Sequence, residues 1–354
     1  MLKDTLRNAR TSKNLKMREV ASFLDIDQAL ISKFEKGDRF PTHDQLNSLA
    51  SILEIEFSKL KIEWLAEKVV KVVQYETDAL EVLAVAESRV EYLASSKTFE
   101  VPEISSALRE KLDYADQLKR EWRVNRPLEE TQLRKMQEFF NVENTYESNR
   151  IEGNTLTLQE THLVVNEGLT IGGKSMREHL EAINHLEALE FVSDLITKRE
   201  DLIKRNLLEL HALILKGVDS PNAGTYRKVP VRIGGSKHEP PQPFLLDKLM
   251  EDFFIHYKNQ KNRLHPLILA AEVHERLVSI HPFIDGNGRT SRLLMNMVLL
   301  QNGYTLTNIK GDLTNRLAYY RALEDVQINN NPDPFYELVI DASIASLEEH
   351  LKMV

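Results

Sequence analysis

The sequence predicts a mostly α-helical protein with more than one domain. Three observations carry that prediction. At 354 residues the chain exceeds one small domain and suits two or three. Apolar residues recur at three- and four-residue spacing along most of its length. Only residues 224–243, which hold four of the twelve prolines and three of the thirteen glycines, break that period.

Composition narrows the function classes. No cysteine is present, so disulfides and thiolate metal sites are excluded. No spacing among the eleven histidines suggests zinc. No apolar run approaches the roughly 20 residues of a membrane span, and the start Met1-Leu-Lys-Asp is too polar for a signal peptide. A cytoplasmic location without a membrane partner is therefore expected. The net charge of −8 argues against indiscriminate nucleic-acid binding by the whole chain. The first sixty residues, however, hold ten Lys or Arg against nine Asp or Glu, so only this part is suited to approach a phosphate backbone.

Taken in order, the first element is a short helix with apolar positions at Met17, Val20, Ala21 and Leu24, the spacing of one buried face. Asp25 then suits a turn with positive φ. A second short helix runs from Gln28 to about Lys36, buries Ile31 and Phe34 and stops at Gly37. Leu46, Leu49 and Leu53 mark another helix beyond Pro41. From Ile62 to about Ser95 the pattern stays helical, with Leu65, Val69, Val72 and Val73 leading to Leu80, Leu83 and Ala84. Lys97, Pro102 and Pro127 interrupt it. Further helices are expected over residues 128–140, after Thr157, from Ser175 to Ile196 and from Asp201 to Leu215. Val229, Val231 and Ile233 alternate with Pro230 and Arg232, a strand signal that Pro230 confines to a sheet edge.

Residues 281–292 read His-Pro-Phe-Ile-Asp-Gly-Asn-Gly-Arg-Thr-Ser-Arg. His281 titrates near neutrality and suits a general base. Asp285 is a hard oxygen ligand of the kind magnesium takes together with phosphate oxygens. Gly286 and Gly288 bracket Asn287, so the backbone is free to aim its amides at an anion. The run from Arg289 to Gln301 reads as a helix ending at Gly303, with its N-terminus offered to that anion. Arg289 and Arg292 lie three apart on one face and can grip one polyphosphate.

This dozen matches, at every specified position, the Fic family signature H-P-F-x-[DE]-G-N-G-R-x-x-R. The resemblance implies a multi-helix Fic fold and a protein adenylyltransferase that moves AMP from ATP, with Mg2+, onto a Ser, Thr or Tyr hydroxyl of a target protein, this chain itself included. His281 would be the base, Asp285 the metal ligand, and Gly286, Asn287 and Gly288 the phosphate cradle. Arg289 and Arg292 would bind the outer phosphates, and Tyr319 and Tyr320 lie where similar proteins line the nucleoside pocket. His274 reads as a packed histidine. The segment around Val229, Val231 and Ile233 resembles the β-hairpin flap that docks the target in Fic proteins.

Two further resemblances complete the reading. Ser148-Asn-Arg-Ile-Glu152-Gly153-Asn154 resembles the Fic inhibitory motif [ST]-x-x-x-E-[GN]. Glu152 would then hold Arg292 in a bidentate contact and exclude the γ-phosphate. In some similar enzymes the same carboxylate orients a water that removes AMP, and the residues leave the direction open. Residues 26–37, Ile-Asp-Gln-Ala-Leu-Ile-Ser-Lys-Phe-Glu-Lys-Gly, resemble the XRE and phage-repressor helix-turn-helix. In that family Gln28, Ala29, Ser32 and Lys33 would lie nearest DNA, while the near-zero local charge leaves a protein-interaction domain open. The expected organisation is an XRE-like domain over 1–61, a helical connector over 62–124, and a Fic domain over 125–354 that includes its inhibitory helix and a catalytic core at about 205–345. A DNA-binding regulator whose Fic part senses nucleotide without turnover remains the alternative, and homo-oligomers stay open.

Overall fold

The computed structural model describes residues 1–95, 102–126 and 129–354. Lys97 and Pro127, read as interruptions, and Leu128, read as the start of a helix, lie outside the described residues. The chain divides into two compact units, Met1–Lys97 and Thr98–Val354. Among the described residues there are sixteen α-helices and no strand.

The first unit contains α1 (Leu2–Ser12), α2 (Met17–Phe23), α3 (Gln28–Lys36), α4 (His43–Leu53), α5 (Phe57–Val73) and α6 (Ala79–Ser95). Asp25 takes φ 53 in the turn between α2 and α3, as expected of a short polar side chain. Asp27 caps α3 by accepting the Ala29 amide, and Gly37 ends it in the left-handed conformation. Val20, Ile31, Phe34, Leu46, Leu49 and Leu53 form its core. Arg10 on α1 forks onto both oxygens of buried Glu35 on α3, which satisfies the one carboxylate that this small core encloses. The helix α5 crosses the expected boundary at residue 61, because Leu60 and Trp64 enter this same core. Of the stripe Leu65, Val69, Val72 and Val73 that marks α5 as helical, the first three are exposed and Val73 is buried.

The second unit contains α7 (Ser106–Asn125), α8 (Glu130–Ile151), α9 (Leu158–Glu167), α10 (Met176–Thr197), α11 (Lys204–Ile214), α12 (Leu246–Gln260), α13 (Pro266–Ile280), α14 (Asn287–Gln301), α15 (Leu313–Asn329) and α16 (Asp333–Leu351). Most of α13 and α14 is buried on every side, so these two helices form the axis around which the others pack. Half of the expected connector belongs to this unit: Leu108, Leu112, Ala115 and Leu118 of α7 join its core, and Lys111 pairs with Glu337 and Asp341 on α16.

The expected β-hairpin over residues 224–243 is not a strand pair, and Val229, Val231 and Ile233 stand in an irregular loop. Pro230 offers no amide to a ladder. The carbonyls of Val229 and Pro241, at the loop's two ends, accept instead from the guanidinium of Arg227. A buried side chain thus closes the loop where main-chain pairing was expected.

Candidate active site

The residues of the dozen meet at the junction of α13 and α14. His281 follows the last turn of α13 with φ 50 and ψ 57, a left-handed cap usually filled by glycine. Its Nδ1 faces the Val278 carbonyl at 3.3 Å. A carbonyl can only accept, so Nδ1 carries the hydrogen and Nε2 keeps a free lone pair. Burial lowers its pKa to about 4, the Val278 contact opposes that fall, and Arg227 and His238 reinforce it. The imidazole is therefore neutral and able to accept a proton at ordinary pH.

The loop between the helices is held from within. Asn287 accepts the Phe283 amide at 3.0 Å and donates to the Phe283 carbonyl at 2.9 Å. Its side chain thus braces the turn, and its second amide N–H is left over for another acceptor. Phe283 is completely buried and stacks on His211 at 3.6 Å between ring centres. His211 also contacts the Asp285 carbonyl through Nε2 at 2.9 Å and accepts the Gly224 amide through Nδ1 at 3.0 Å. It joins α11, the segment at Gly224 and the turn that carries Asp285. Sequence reasoning missed it because a histidine inside a helical repeat carries no local signal.

Above the start of α14 lies Glu152, at the C-terminal cap of α8. Its Oε1 is 2.6 Å from Nη2 of Arg292 and lies in the space a Cβ at position 288 would take, so a side chain there would have to displace the carboxylate. The carboxylate sits where an incoming anion would meet the helix N-terminus. The contact is single rather than the expected bidentate pair. Arg292 spends Nε on Ser148 Oγ at 2.9 Å, and Nη2 also donates to the Ser148 carbonyl at 2.9 Å. Gly153 turns the chain away with φ 95.

Asp285 binds three groups: its Oδ1 accepts from Gly286 N and Arg289, and its Oδ2 accepts from Arg177 on α10 at 2.8 Å. Burial pushes its carboxyl up, yet Arg289, the Gly286 amide and Arg177 together hold it below the usual range. Among the described residues no group of three His, Asp or Glu stands ready for a metal. A lone charged carboxylate fits a magnesium ion that takes its other oxygens from water and phosphate. Arg289 is buried, within 3.6 Å of Glu181, and its Nε and Nη1 have no hydrogen-bond partner among the described residues. Glu181 also binds Nε of Arg177 at 2.9 Å and Asn154 at 3.1 Å. Arg177 and Glu181 were invisible to sequence reasoning, since they lie about a hundred residues from the motif they touch.

The two tyrosines do not share one wall. Tyr319 is buried behind Arg292, with its hydroxyl 3.4 Å from Nη1 and 3.1 Å from Nε2 of His274. His274 is the packed, hydrogen-bonded histidine expected. Tyr320 is 41% exposed and donates to the Ile151 carbonyl at the end of α8. In the first unit, Gln28, Ala29 and Lys33 are exposed and Ser32 is half-buried, so α3 presents them together on its outer side.

Comparison with known proteins agrees with this geometry. The Fic/DOC family model matches residues 201–299, and a helix-turn-helix model matches residues 6–60. The chain is 38% identical over 223 residues to a protein adenylyltransferase Fic of Drosophila grimshawi and 36% identical over 222 residues to that of Drosophila melanogaster. Each match covers 62% of this chain and 44% of the relative, so the chain spans less than half the length of these proteins. A Fic domain containing signaling protein from Bacteroides thetaiotaomicron superposes with TM-score 0.62 at 30% identity, covering 68% of this chain and 97% of that one. Fic-1 (residues 134–508) from C. elegans gives TM-score 0.64 at 26% identity, covering 95% of this chain and 96% of that one. An intact signature at the mouth of a helical core, with these matches, places the chain in the Fic/DOC family.

Proposed function

We propose that this protein is an adenylyltransferase that transfers AMP from magnesium-ATP to the hydroxyl of a protein side chain, and that Glu152 holds it at low activity. The observation that carries this reading is the carboxylate of Glu152 seated on Arg292 above Gly288, an anion already placed where the triphosphate would lie. In the active form Glu152 gives way, and Arg292 and Arg289 take the outer phosphates. Magnesium held by Asp285 and phosphate oxygens would neutralise the leaving pyrophosphate. Nε2 of His281 takes the proton of the target hydroxyl as its oxygen bonds to the α-phosphorus, and the bond from that phosphorus to the β-phosphate bridging oxygen breaks. Tyr319 and His274 support Arg292 from behind rather than touching the nucleoside. The loop carrying Val229, Val231 and Ile233 docks the target as an extended segment in place of a formed strand.

The test is self-labelling with α-labelled ATP in Glu152→Gly protein, alone and combined with His281→Ala. Label should appear in the first and vanish in the second with the fold intact. Equal labelling in both would remove His281 as the base. The outward row Gln28, Ala29, Ser32 and Lys33 on α3 favours a second activity, recognition of a DNA site by the first unit. Sequence-selective DNA retention that survives His281→Ala and is lost in Gln28→Ala with Lys33→Ala supports it. Uniform weak retention of any duplex would leave the unit as a protein-binding module.

A further inference from the structure

Arg227 is buried, yet its hydrogen-bond partners among the described residues are all main-chain carbonyls. Its Nε donates to the carbonyl of His281 at 2.8 Å, Nη1 to that of Val229 at 3.1 Å, and Nη2 to that of Pro241. Its own amide donates to the Pro282 carbonyl at 2.9 Å. Desolvation of the guanidinium lowers its pKa, so the charge is unfavourably placed unless its planar fork of donors is well used. Here three donors reach three points that the chain does not otherwise bring together: the start of the loop, its end, and the residue proposed as the base. No ladder supplies this link, because residues 228–242 form no strand pairing. The loop has other ties, from His238 Nε2 to the Ser279 carbonyl at 2.8 Å and from Lys237 to Glu324 at 3.5 Å. These reach only its far leg.

We infer that Arg227 is a positioning residue, fastening both legs of the loop 228–241 to the backbone of His281 so that a docked target and its base are held in one register. The inference rests on the transferase reading for its purpose, though the fastening itself can be tested without any turnover. A lysine keeps the charge but offers a compact ammonium in place of the planar fork. A glutamine removes the charge. The groups that face His281 electrostatically are Arg227, His238 and Glu152.

The chain has no cysteine, so Arg232→Cys provides a single attachment point for a nitroxide on the exposed face of the loop. In full-length protein the spin-label spectrum should gain a mobile component with Arg227→Lys and with Arg227→Gln. Titration of the His281 ring, followed by NMR on histidine-labelled protein, should move to higher pH with Arg227→Gln and stay close to its original position with Arg227→Lys. A residue that merely fills space would alter both variants' spectra alike without separating their titrations. If both variants keep the parent's spin-label spectrum, the fastening is absent and the inference falls. If Arg227→Gln does not fold, the mobility arm with Arg227→Lys still decides. Absence of label transfer in the Glu152→Gly parent would sink the transferase reading while leaving the spectral answer intact.

Discussion

Glu152 touches Arg292 with one oxygen, and the arginine keeps its other contacts to Ser148 and Tyr319 when that oxygen leaves. Release is therefore less costly than breaking a full bidentate pair. A hydrogen bond between charged groups contributes about 1.5–3 kcal/mol, so Glu152→Gly should raise nucleotide affinity roughly ten- to a hundredfold. Titration with a fluorescent ATP analogue measures this directly, and unchanged affinity would remove Glu152 as the competitor. Arg177 stands on Asp285 in the same way, through an exposed side chain on one oxygen. Arg177→Ala should strengthen Mn2+ binding measured by the manganese spin signal, by a few-fold rather than a hundredfold because the arginine is solvent-screened. Loss of Mn2+ binding would instead make Arg177 a support of the site. The motif residues were legible because they are contiguous and chemically mixed. What each side chain does was less so: that Asn287 braces the turn is visible only in its two bonds to Phe283, which the letters of the motif do not show.

At the scale of elements, α8 is unusual in what it buries. Glu143, Asn144, Thr145, Glu147, Ser148 and Asn149 are all buried and polar. Asn144 bonds to Asn308 at 2.7 Å, Glu143 to Lys310 at 2.6 Å, Glu147 to the Gly311 amide at 2.7 Å, and Thr145 to His185 at 3.2 Å. An interface of this kind exchanges for water far more cheaply than an apolar one. The helix that ends at Glu152 is thus seated by polar contacts. Gly311 lets the 305–312 loop approach closely, since a Cβ there would stand 2.9 Å from the Glu147 carbonyl and from Cβ of Arg150. Gly311→Ala should cost about 1–3 kcal/mol of local strain, raising hydrogen exchange over 143–152 and increasing self-labelling while α13 and α14 stay protected. Exchange unchanged in that helix would mean that the loop, not α8, absorbs the strain. Helices such as α9 and α10 were readable as helices, and the structure adds why they begin where they do: Thr157 with Glu160 and Ser175 with Glu178 form capping boxes. The loop after Gly224 was misread as strand because alternation of Val229, Val231 and Ile233 says nothing about a distant guanidinium that takes the carbonyls.

Across the whole molecule, buried histidines govern the response to acid. Burial lowers His185 to about 3, His211 to about 4 and His281 to about 4, against an unfolded value of 6.5. Below pH 6.5 the unfolded chain binds protons that the folded chain refuses, so stability falls as pH drops toward 4. Each such group contributes about 1.4 kcal/mol per pH unit. Glu275, raised by burial to about 7, works in the opposite direction between pH 7 and 4.5, but it is one group against three. Calorimetry should show the melting temperature of the larger unit falling steeply from pH 6 to 5, and a flat profile would mean these rings are solvated. The division into two units was only half legible: the first repressor-like helices were plain, but α5 and α7 each joined a neighbouring core through residues whose partners lie far along the chain.

Arg289 and Arg292 are both buried, one turn apart, with the neutral ring of His185 feeling the charge of each. Two cations confined so closely repel one another unless negative groups lodge beside them: Asp285 and Glu181 stand beside Arg289, and Glu152 stands on Arg292. Removing the Glu152 carboxylate leaves buried Arg292 without its counter-ion, so Glu152→Gly protein should melt earlier than its parent yet gain more from added ATP. On the proposed reading Glu152 would serve Arg292 as counter-ion as well as brake, and a triphosphate would bring the replacement charge with it.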